Sequence, residues 1–132
     1  MMTSEIDQEN VSFQKEWDER VHYIEAALQK GGEPFTVDDV YELVCTGMAH
    51  FEPVEDGAAV FFFHNYPQKR LLRIWLYGGN LPSIEQVLDA AHEHAKRLQC
   101  DGIELDGRKG WERILKPHGF DYKRAVLVKE LN

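Results

Sequence analysis

The stretch "LLRIWLYGGNLPSIEQVLDAAHEHAKRLQCDGIEL", residues 71–105, decides the fold. Its opening is rich in β-branched, aromatic and aliphatic residues and is stopped by Gly78-Gly79, which predicts a strand. Val87, Leu88, Ala91, Ala95 and Leu98 then recur at helical spacing. Ser83 and Gln86 form an S-x-x-Q pattern that predicts a capping box at the start of that helix. "GIEL", residues 102–105, reads as a second strand. Strand, helix and strand in this order make a crossover that leaves the two strands parallel. A ligand crevice is expected where two such strands part.

Upstream, "AHFEPV" (49–54) and "AAVFFFHNY" (58–66) read as strands, and "PQKR" (67–70) as the turn into the third. Their close spacing predicts an antiparallel meander. Before them, Trp17, Val21, Ile24 and Leu28 mark an amphipathic helix ended by Gly31-Gly32. Thr36 is placed to cap a second helix whose apolar face is Val37, Val40, Tyr41, Val44 and Met48. Residues 1–10 have no period and read as a flexible start to a single domain over 11–132. Downstream, "DGRKGWERILKPHGFDYKRAVLVKEL" (106–131) predicts a turn, a short helix, a Gly stop and a closing strand over "RAVLVKEL". The fold class is therefore α/β, with a mixed sheet and helices on both sides.

Composition narrows the function. A chain of 132 residues, 43% hydrophobic and 29% charged, fits one globular domain. Its longest apolar run, Ala58 to Phe63, is far short of the ~20 residues of a membrane span. The opening "MMTSEIDQEN" has no basic or apolar leader region, so a cytosolic protein is expected. Residues 1–59 hold 14 acidic and 3 basic side chains, whereas residues 60–132 hold 9 and 12. The net charge of −8 opposes direct nucleic-acid binding and leaves an acidic half suited to a basic surface. Cys45 and Cys100 are far apart with no C-x-x-C, and are expected to be buried, reduced thiols.

Few side chains carry chemistry. His92 and His94 stand two residues apart on a helix and point away from each other, so no metal site is expected there. His50 and His64 fall on neighbouring strands and can face each other. Glu104 and Asp106 share one face of a strand. His64 and Glu104 are the candidate general bases. Arg108, Lys109, Arg113 and Lys116 form a basic cluster around the last helix.

The element order, the Gly-Gly break after the third strand and Gly119-Phe120 after the last helix resemble the GNAT family of acetyl-CoA-dependent N-acetyltransferases, over residues 13–130. The resemblance implies a GNAT-like sheet, with acetyl-CoA lodged where strands 70–77 and 102–106 splay. In the family an R/Q-x-x-G-x-G/A loop at a helix start holds the pyrophosphate through backbone N–H groups. The corresponding loop is "YGGNLPSIEQV", and the resemblance implies cofactor contacts from Tyr77, Gly78, Gly79 and Asn80. That loop lacks the leading Arg or Gln, Pro82 removes a donor, and Glu85 brings a negative charge. The family pattern N-x-x-A-x-x-L-Y-x-x-x-G-F sets Arg108 on the Asn, Trp111 on the Ala, Ile114 on the Leu and Leu115 on the Tyr. Leu115 cannot protonate a leaving thiolate, which leaves Arg108 as the polar candidate for CoA.

The expectation is thus a catalytically degenerate protein without a cofactor. "TVDDV" (36–40), "YGG" (77–79) and "DGRKGWERILKPHGF" (106–120) resemble small acetyltransferase-like proteins of tailed bacteriophages, some of them virion or ejection proteins. This implies partners among phage structural proteins or a second copy, and a place in the host cytoplasm and in the virion. The alternative is a divergent acetyltransferase that binds acetyl-CoA and uses Glu104 or His64 as base. It requires an open crevice, and Trp75 and Trp111 are the residues placed to fill one.

Overall fold

The computed structural model describes residues 5–106 and 110–131. The elements are α1 (Glu5–Gly31), α2 (Val37–Cys45), β1 (His50–Val54), β2 (Gly57–Asn65), β3 (Arg70–Gly79), α3 (Ser83–Arg97), β4 (Gly102–Leu105) and α4 (Gly110–Leu115), followed by a 3-10 turn, Lys116–His118. The sheet order is β1-β2-β3-β4. β1/β2 and β2/β3 are antiparallel, and β3/β4 is parallel across the α3 crossover. The expected meander and crossover are both present.

Each face of the sheet carries its own core. Trp17, Ile24 and Leu28 of α1 and Val40 of α2 pack on Phe51, Ala58, Val60 and Leu76. On the other face, Ile84, Val87, Leu88, Ala91 and Ala95 of α3 and Leu115 of α4 cover Val54, Ala59, Phe61, Leu72 and Ile74. Thr36 caps α2 as expected, accepting from the Asp39 N–H while the Asp39 carboxylate accepts from the Thr36 N–H. The β2–β3 register steps at Val60/Phe61, whose partners are Leu76 and Ile74, so Trp75 is the extra residue of a bulge. The bulge turns both Trp75 and Leu76 toward α1 and α2.

Four expectations need correction. The first helix reaches back to Glu5, because a helix anchored by its Trp17–Leu28 stripe propagates through polar neighbours at little cost. Ser83 does not cap α3: the N-cap position is Pro82, and Gln86 instead accepts the Glu55 N–H at 3.0 Å, tying the helix to the β1–β2 turn. Cys45 is exposed at the end of α2 and Cys100 is half-buried, although both are free thiols. The closing strand over 124–131 is not formed. Residues 120–131 carry no regular element, and Val126, Leu127, Val128 and Leu131 face solvent, Leu127 at 92% exposure. β4 pairs with β3 along only four residues, and the contacts that tie the segment here are made by the Arg124 side chain, to the Tyr66 hydroxyl at 3.1 Å and to Glu104 at 3.8 Å, not by a backbone ladder. A cavity of about 1720 Å³ lies between the β4 edge, the end of α4 and the segment.

Candidate functional site

The sequence candidates fall into two groups, one at the C-terminal end of β3 and one on the strands that flank it, β2 and β4. The first comprises Tyr77, Gly78, Gly79 and Asn80, at the C-terminal end of the strand where it feeds α3. The glycines there serve chain contacts. A Cβ on Gly78 would overlap the Tyr23 carbonyl of α1, with the carbonyl carbon 2.8 Å away. Gly79 has φ +143°, and a Cβ there would lie 2.6 Å from the Asp56 carbonyl oxygen. Asn80 closes the start of α3: its Oδ1 accepts from the Ser83 N–H at 3.0 Å and from the Ser83 hydroxyl at 2.6 Å. The Leu81 carbonyl takes the Ile84 N–H at 3.1 Å. Pro82 has no donor and the Ser83 and Ile84 N–H groups are engaged, so these three consecutive positions offer no free N–H to a phosphate. Glu85 stands in the first turn and pairs with His118 at 3.3 Å.

Tyr77 and Trp111 meet at the level where β3 runs beyond β4. β3 and β4 are paired from Leu71/Gly102 to Ile74/Leu105, after which β3 continues to Gly79 paired with β2 only. The Tyr77 ring lies 5.9 Å from Trp111, edge to face, and its hydroxyl donates to the Asn80 carbonyl. Burial raises the Tyr77 phenol above its usual pKa, against a lowering hydrogen bond with Ser83. Trp75 is on the opposite face, against Phe35 and Phe62 at 4.8 and 5.9 Å. Trp111 alone therefore leans over the crossover side, and Trp75 fills the α1/α2 side. Arg108 lies outside the described residues.

The second group joins two residues forty positions apart. His64 Nδ1 lies 3.1 Å from Glu104 Oε1, on the face of the sheet that carries α1 and α2. Tyr66 donates to the same carboxylate at 2.9 Å, and Arg73 and Arg124 approach it at 3.8 Å. With Nδ1–H donated to Glu104, His64 would present Nε2 as an acceptor, the tautomer a general base uses. Arg73 also pairs with Asp106 at 2.8 Å, while its Nε is buried without a partner among the described residues. Both Glu104 and Arg73 lie in the paired half of β3 and β4, where the register sets them side by side. The carboxylate is the hub that balances four donors. Glu104→Ala is expected to lower unfolding free energy by about 2 kcal/mol, because Arg73 keeps its burial and loses a counter-charge. Urea unfolding measures this, and a change below about 0.5 kcal/mol would show the hub is a solvated surface cluster.

His50 and His64 do not face each other. β1–β2 register places His50 opposite Phe61, and His50 lies on the α3 side of the sheet whereas His64 lies on the other. Period-two alternation along β2 separates them, a parity that the sequence alone did not fix between strands.

No family model matches the sequence, and no curated protein matches it. Solved structures do match the fold. The chain is similar to a probable acetyltransferase (9% identity, TM-score 0.61, covering 85% of this chain and 88% of the other). It is similar also to an acetyltransferase of Trypanosoma brucei (11% identity, TM-score 0.58, 84% and 91%). A GNAT family acetyltransferase of Staphylococcus aureus superposes at TM-score 0.55 with 14% identity, over 99% of this chain and 96% of that one. At these identities the likeness is one of fold: the chain, with its mixed four-stranded sheet and helices on both faces, has a GNAT-like α/β fold.

Proposed function

We propose that this protein is a catalytically degenerate GNAT-fold protein that acts through protein contacts, as a structural, assembly or ejection component of a phage virion. The observation that carries the degenerate reading is the closed start of α3, where Asn80 and Leu81 take the Ser83 and Ile84 donors and Glu85 adds a like charge to any phosphate. Leu115, in the position of the family's Tyr, is buried in the α3-side core and has no proton to give. The phage role rests on the sequence resemblance together with an acidic first half suited to contacts. In incubations of the purified protein with acetyl-CoA and amine acceptors, product is expected at the uncatalysed rate only. Mass spectrometry of particles from a phage carrying the gene is expected to find the protein at a fixed copy number. Its absence from particles and assembly intermediates overturns the virion role.

A second reading is favoured by the His64–Glu104 pair, which has the geometry of a base and its orienting carboxylate. In a divergent acetyltransferase, His64 would take the proton from the acceptor amine. Turnover of acetyl-CoA that falls at least about 100-fold in His64→Gln would establish that reading and remove the first.

A further inference from the structure

On the α3 side of the sheet, three donor atoms from two elements converge at the outer edge. His50 and Glu52 stand two apart on β1 and so share a face, and His94 comes from the last turn of α3. His50 Nε2 lies 2.8 Å from Glu52 Oε1, and His94 Nε2 lies 3.4 Å from the same oxygen. All three donors fall within 4.8 Å of one another. Ligands that share one ion at about 2.0–2.1 Å stand roughly 3 to 3.5 Å apart, so only small side-chain rotations are needed to close the set.

The chemistry of the three groups suits a borderline metal. Burial acts to raise Glu52, but the hydrogen bonds and charges of His50 and His94 outweigh it and hold the carboxyl below the usual carboxylate value. Glu52 and His94 are mostly covered, at 22% and 20% side-chain exposure, whereas His50 at 44% leaves the outer side open. Phe61 forms the floor, its ring 5.8 Å from His50 and 6.1 Å from His94. Two imidazoles and a carboxylate with an open position is the donor set of zinc and related divalent ions.

We propose that His50, Glu52 and His94 bind one divalent first-row transition metal ion, zinc being the best match, and that the ion clasps edge strand β1 to the end of α3. One feature opposes binding. The Arg97 guanidinium lies 2.7 Å from His94 Nδ1, so that nitrogen is the acceptor and Nε2 carries the proton. Metal binding at Nε2 moves the proton to Nδ1 and displaces Arg97, which is exposed in the last turn of α3.

The test uses the full chain, treated with a chelator and then titrated with zinc chloride by calorimetry. One saturable site is expected, accompanied by a rise in the unfolding temperature. Arg97→Gln, which removes the guanidinium that holds the opposing tautomer of His94, is expected to tighten binding by about tenfold, the lower end of what changes behind a ligand do to affinity in either direction, and His94→Gln to abolish it. Since His94→Gln can also disturb packing, proton and nitrogen spectra of the wild-type imidazoles give a second readout. Zinc is expected to shift His50 and His94 at one equivalent and to leave His22, His64, His92 and His118 in place. Absence of saturation, shifts at the other histidines, or equal affinity in His94→Gln overturns the proposal.

Discussion

Gly78→Ala is expected to lower the thermal midpoint by roughly 10 °C, corresponding to about 3 kcal/mol at this chain length. The added methyl meets backbone, the Tyr23 carbonyl of α1, which cannot rotate aside as a side chain can. Relief requires lifting α1, and α1 is seated by the buried Trp17, Ile24 and Leu28. Gly32→Ala is the control: a Cβ there has nothing within 4 Å, and its φ of +61° costs only about 1–2 kcal/mol. Melts followed by circular dichroism compare the two. A Gly78 variant as stable as wild type would mean that α1 does not rest on β3, and would free this glycine for a ligand.

Phe61→Ala is expected to cost about 4 kcal/mol in urea unfolding. Phe61 is 1% exposed and sits where α3 meets the middle of the sheet, so its loss leaves a cavity that strand and helix cannot both close. The same ring supports His50 and His94. The variant is therefore expected to weaken zinc binding along with stability. Phe62→Ala, on the opposite face and only partly buried, is expected to cost about half as much. Equal costs would place the main core on the α1/α2 face.

The crossover was legible because each of its parts has a strong local cause. Gly78-Gly79 ends β3, the apolar residues of α3 follow one stripe, and "GIEL" is bounded by turn residues, so strand, helix and strand appear where expected. The capping of α2 was legible for the same reason, since Thr36 and Asp39 act within one turn. Features that depend on two distant segments were not. Gln86 suits a capping box in sequence, yet its amide oxygen serves Glu55 across the fold. The Trp75 bulge changes the parity of β3 without any glycine to mark it, and so sets which aromatics share a face.

The closing strand shows a further limit. "RAVLVKEL" has the composition of a strand, but composition does not supply a paired partner edge, and residues 124–131 join no ladder. Of the candidate site, the His64–Glu104 pairing was half legible: both residues were singled out, and only the β2-β3-β4 register brought them together. The His50–Glu52–His94 group gave no signal as a set. Its histidines each had a different apparent partner in the sequence, His64 for one and His92 for the other.

The proposed lack of a working cofactor site is tested most directly by calorimetric titration of the purified protein with acetyl-CoA. A cofactor with a dissociation constant near 10 μM, present at about 1 mM, would add roughly 2.7 kcal/mol to apparent stability. With Asn80 closing the start of α3 and Trp111 against Tyr77, no saturable heat and no shift of the thermal midpoint are predicted at that concentration. Saturable micromolar binding with a raised midpoint would contradict the account and make the acceptor amine the next question.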